Sequence, residues 1–129
     1  MKSKLFGIII LLFIIFLTGC SNSDDSNINQ DGKTLALGKY KTKEDRFAYV
    51  ELMEDNKFVF NYSSSSSYKP SGIYEIKDNQ LKLTSSESHD NYIFIIDNQT
   101  IQFDQGLSSP LQSNKLSTNL DGAIFELPD

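Results

Sequence analysis

The chain has one cysteine, Cys20, one histidine, His89, three prolines and no tryptophan in 129 residues. A single cysteine excludes a disulfide within the chain. One Cys and one His are too few for the usual tetrahedral transition-metal site. The sequence also lacks the Gly-x-Ser-x-Gly elbow, the glycine-rich phosphate loop and the His-Glu-x-x-His helix. His89 sits in the polar stretch SSESHDNY beside acids, where an exposed loop residue is expected rather than a general base. No catalytic residue, metal or cofactor is therefore assigned, and the chain is read as a non-enzyme.

Clustered positive charge is missing too. Twelve Lys and Arg face 17 Asp and Glu, a formal net charge of −5. Lys2 and Lys4 precede Cys20 and no acid does, so the remainder carries 10 basic against 17 acidic groups, or −7. Such a surface disfavours nucleic acid and repels anionic lipid headgroups. Attachment to a membrane would need some means other than surface charge.

Only one long apolar run is present. Residues 5–17 are apolar apart from Gly7, follow Met1-Lys2-Ser3-Lys4 and lead into Thr18-Gly19-Cys20. This is the three-part layout of a secretory signal. Thirteen helical residues span roughly 20 Å, short of the roughly 30 Å hydrocarbon core, so a permanent transmembrane helix ending in a buried free thiol is the weaker reading. Leu17-Thr18-Gly19-Cys20 resembles the lipobox of bacterial lipoproteins: an aliphatic residue, a small residue, Gly or Ala, then Cys. The resemblance implies a diacylglyceryl group on the Cys20 sulfur and cleavage between Gly19 and Cys20. Residues 1–19 would then be the signal peptide, and the mature protein would sit lipid-anchored on the extracytoplasmic face of the cell membrane. The thiolate is a suitable nucleophile for forming a stable thioether, and two acyl chains suffice for firm anchoring where one does not.

Residues 21–33 contain one apolar residue in thirteen and cannot bury enough surface to order themselves. With Cys20, residues 20–33 read as a lipidated polar tether. Asp25, Asn27 and Asn29 have the spacing of a calcium loop, but Gln30 occupies the position that needs Gly and Ala36 the position that needs a bidentate Glu.

Beyond the tether the hydrophobic period is two. Asp55-Asn56, Asp78-Asn79 and Asp97-Asn98 each separate two alternating runs. Asp and Asn tolerate left-handed backbone, so these pairs predict tight antiparallel turns. Three hairpins in succession, with further strands at 37–42 and 123–127, give an all-β meander of about eight strands over residues 34–129. No helical spacing of eleven residues or more competes. An up-and-down barrel, which removes exposed edges, is expected, and a β-sandwich is the alternative. The segments GKY, SGIYEI with NQLKLT, YIFIIDNQTIQF and DGAIFEL resemble the small lipocalin-like domains of lipoproteins from low-GC Gram-positive bacteria. That resemblance runs over residues 38–127 and concerns fold rather than activity. The domain is expected to be monomeric.

Two features could carry binding. Alternation puts Phe58, Phe60 and Tyr62, Tyr74 and Ile76, Leu81 and Leu83, Tyr92 and Phe94, and Ile101 and Phe103 on one face. In a small barrel such residues form a filled core or leave room for one small ligand. Tyr62, Tyr74 and Tyr92 are the candidate ligand-binding residues, because each offers an apolar ring with a hydroxyl. The second feature is the serine run at 63–67, leading into Tyr68-Lys69-Pro70, either a plain hairpin tip or a mouth loop. The expected function is binding of a small amphipathic ligand or an envelope partner. A structural or stress-sensing envelope lipoprotein with a solid core is the alternative.

Overall fold

A computed structural model describes residues 34–65, 67–112 and 119–129. The lipobox with Gly19 and Cys20, the tether, its Asp25-Asn27-Asn29 spacing and Ser66 of the serine run lie outside the described residues. Eight strands follow one another: β1 (Gly38–Thr42), β2 (Tyr49–Met53), β3 (Lys57–Asn61), β4 (Ser71–Lys77), β5 (Gln80–Ser85), β6 (Asn91–Asp97), β7 (Thr100–Asp104) and β8 (Ile124–Glu126). Each pairs antiparallel with its neighbour in sequence, and β8 pairs with β1, so the sheet closes into a barrel. Closure excludes the sandwich.

The turn chemistry accounts for the connectivity. Asp78 and Asn79 have φ of 53° and 62° and link Lys77 to Gln80, which pair across the hairpin. Two successive left-handed residues suit the twist of a two-residue hairpin, and Asp and Asn adopt them at low cost. Asp55, Asn56 and Asn98 are also left-handed. Alternation then sorts the faces: in β5, Leu81, Leu83 and Ser85 point inward and are buried, while Gln80, Lys82 and Thr84 are half-buried on the outside.

The barrel has two unlike ends. Residues 54–56, 78–79 and 98–99 make the tight turns of one end, whereas the described residues of the other connections, 43–48, 62–65, 67–70, 86–90, 105–112 and 119–123, leave and re-enter the strands at the other. The segment before β1 joins the tight-turn end. There Gln99 Nε2 donates to the Thr34 carbonyl at 2.9 Å, and the Ala36 amide donates to Gln99 Oε1 at 3.1 Å.

Aromatic rings fill the middle of the barrel. Phe60 is fully buried and meets Tyr62, Tyr92, Phe94, Phe103 and Phe125 with ring centroids 5.4 to 6.5 Å away, four of the five edge-on. Edge-on contact sets the positive rim of one ring against the negative face of another. Two outward residues, Asn61 and Ile93, depart from the alternation. Ile93 is buried because residues 108–109 fold back along β6: its amide donates to Ser108 Oγ at 2.8 Å, and the Ser109 amide donates to the Asn91 carbonyl at 2.7 Å.

Candidate functional site

The three candidate tyrosines are all interior and buried, but they do not form one site. Tyr62 and Tyr92 lie against the same ring, with centroids 5.6 and 5.4 Å from that of Phe60. Tyr74 pairs with Leu83 of β5 as Tyr92 does, but its phenol is close enough to Tyr40 to act on it electrostatically. The Tyr40 hydroxyl donates to the Ala36 carbonyl at 2.7 Å, toward the tight-turn end. Burial, with the Tyr74 phenol nearby, pushes Tyr40 up to about 12. The Tyr40 phenol thus braces the end where the chain enters.

Tyr62 and Tyr92 belong to a cluster at the loop end. Tyr62 follows β3 and stays 2 % exposed, because the 62–70 connection continues the interior parity of Phe58 and Phe60 for one more step. Tyr68 lies on the return of that connection, its hydroxyl 3.2 Å from Ser85 Oγ. Ser85 ends β5 with its side chain inward and no exposure; its Oγ also accepts the Ser88 amide at 3.5 Å. Asp90 stands at the start of β6, two residues before Tyr92. The Tyr92 hydroxyl is held well above the ordinary phenol range by burial first, then by the Asp90 carboxylate and the phenols of Tyr62 and Tyr68. Ionised, the Tyr92 phenol would be both desolvated and repelled, so Tyr92 keeps its proton over the physiological range.

One atom of the cluster is unmatched. Tyr62 Oη is buried and has no hydrogen-bond partner among the described residues. Asn61 Oδ1 is likewise unmatched, but Asn61 lies outside the barrel wall, where its Nδ2 donates to the Phe47 carbonyl at 2.7 Å. An unmatched buried hydroxyl costs about 1–3 kcal/mol, and native proteins contain few of them.

Alternation finds part of this cluster directly. Ser85 shares the parity of Leu81 and Leu83, so the sequence already places its hydroxyl inside. Tyr68 carries no such signal, because it sits in a nine-residue connection without period. His89 is exposed in the 86–90 loop with φ of 60°. Of the serine run, Ser63 is buried and its Oγ lies 2.8 Å from Ser65 Oγ and accepts the Ser65 amide at 3.1 Å. A groove of about 270 Å³ on the outer face of the β4–β5 hairpin is lined by Glu75, Lys77, Asp78, Gln80 and Lys82 and includes none of the tyrosines. Among the described residues no three His, Cys, Asp or Glu side chains come together as a metal ion would require. Compared with known proteins, the chain matches no protein family, no curated protein and no solved structure.

Proposed function

We propose that this chain is a lipid-anchored, extracytoplasmic binding module, held to the membrane through Cys20, that presents the loop end of its barrel to a small amphipathic ligand or an envelope partner. The observation that carries this reading is the opposition of the two ends. The described chain begins at Thr34, bonded to Gln99 at the tight-turn end, while every long connection lies at the far end. Thirteen residues separate Cys20 from Thr34, a reach of at most about 45 Å. An anchor on Cys20 therefore holds the tight-turn end within about 45 Å of the bilayer and leaves the loop end free to face away from it. The tight-turn end exposes Glu54, Asp55, Asp78 and Asp97 against Lys57 and Lys77, a balance that repels an anionic bilayer.

The solid-core structural reading draws on one observation, the five rings packed round Phe60. That packing supports a loop-end position for the ligand over a central one. The test is a photo-crosslinking residue introduced on whole cells in place of Ser64, at the loop end, or of Lys77, at the tight-turn end. The expected result is an adduct from position 64 and none from 77. Equal adducts from both positions, or none from 64, would count against a loop-end binding surface.

A further inference from the structure

We propose that Tyr62 is the recognition donor of a site for an uncharged small molecule, one bearing a hydroxyl or carbonyl oxygen on an apolar body and held among Tyr62, Tyr68 and Tyr92 beneath the 62–70 connection. The proposal rests on the loop-end reading and gives it a ligand class. The Tyr62 hydroxyl is buried with no partner among the described residues, while the Tyr68 hydroxyl lies 3.2 Å from Ser85 Oγ. A neutral phenol has one hydrogen to give, so what completes it must offer an acceptor. An ammonium group has no acceptor and would leave that hydrogen unmatched. An anion meets the Asp90 carboxylate and a loop end where, among the described residues, Glu44, Asp45, Glu87, Asp90, Asp104 and Asp121 outnumber Lys43, Arg46 and Lys69. An uncharged oxygen remains. Phe60, in edge contact with Tyr62 and Tyr92, supplies an apolar floor for the rest of the molecule.

The test uses the full chain in phosphatidylcholine nanodiscs with ¹³C-labelled tyrosine rings. It is titrated with five probes of one shape: cyclohexanone, cyclohexanol, methylcyclohexane, cyclohexanecarboxylate and cyclohexylammonium. Cyclohexanone or cyclohexanol is expected to shift Tyr62, Tyr68 and Tyr92 saturably and to leave Tyr40 and Tyr74 unmoved. Tyr62→Phe is expected to weaken that binding about five- to tenfold, the worth of one hydrogen bond, without changing the response to methylcyclohexane. Unchanged binding in Tyr62→Phe, or preference for either charged probe, overturns the proposal. So does a crystal structure of the titrated protein with an ordered water alone on Tyr62 Oη. If a charged probe shifts the loop-end tyrosines, only the ligand class fails. If no probe shifts them while position 64 still crosslinks on cells, the small-molecule site fails and a macromolecular partner at the loop end stands.

Discussion

Phe60→Ala tests whether the ring network, rather than burial alone, holds the barrel together. Phe60 has no exposure and five ring neighbours. Phe58, one inward step earlier on the same strand, is 1 % exposed, so the two positions match in burial. Truncating a buried Phe costs about 3–5 kcal/mol through lost transfer energy and the cavity left behind. Aromatic pairs contribute about 0.5–1.5 kcal/mol each beyond area, and the five rings round Phe60 cannot all relax into the space. Phe60→Ala is therefore expected near the top of the range, about 4–5 kcal/mol, with Phe58→Ala about 1–2 kcal/mol lower. Phe60→Leu keeps most of the volume but loses the edge contacts, and falls between wild type and Phe60→Ala. A domain of this size is stable by about 5–14 kcal/mol, so a chain beginning at Gly32 is expected to remain measurable as the alanine variant at low temperature. Urea unfolding followed by far-ultraviolet circular dichroism gives the three values. Equal losses at positions 58 and 60 would refute the ring argument, and a loss below 1 kcal/mol at both would mean that neither ring is in the core.

Three further outcomes follow from other parts of the molecule. Gly72 pairs with Ser85 in β4–β5, and a Cβ there would collide with the Thr84 carbonyl oxygen and lie 2.9 Å from the Ser86 amide; Gly72→Ala is expected to cost at least about 2 kcal/mol, read as a lower urea midpoint. Tyr40, pushed up to about 12 by burial and by Tyr74, and Tyr92, raised by burial and by Asp90, both hold their protons more tightly folded than unfolded, where tyrosine titrates near about 10. Their contribution is complete below pH ~10 and is lost as pH rises toward 12, so the urea midpoint is expected to fall in that window, less steeply in Tyr40→Phe. Cys20→Ala is expected to leave the fold unchanged and remove the anchor, which intact-mass analysis and cell fractionation would show as unmodified protein, uncleaved or in the medium.

Much of the barrel is legible in the sequence because two local signals coincide. Period-two alternation set the inward faces of β3, β5 and β7, and Asp-Asn pairs at 55–56 and 78–79 are among the few side chains content with positive φ. Closure was not legible: it depends on β8, three residues long, meeting a strand more than eighty positions earlier, and no local pattern encodes that distance. The candidate site was half legible for the same reason. Parity put Tyr62, Tyr74 and Tyr92 inside, but parity says nothing about where a phenol points along the barrel. The structure gives Tyr62 and Tyr92 a shared ring neighbour in Phe60 and brings Tyr68 to Ser85 from an aperiodic connection.

The shortness of β8 bears on the order in which the molecule assembles. Seven strands are joined by contacts between sequence neighbours, which form quickly because little chain must be closed for each. The ring then waits for Ile124–Glu126, which meets β1 at only two paired positions and β7 at two. Until they arrive, β1 and β7 display open edges able to pair with any other strand. The vulnerable species in the folding of this protein is thus a nearly complete, unclosed sheet, and the rate of closure rather than final stability governs how long it persists.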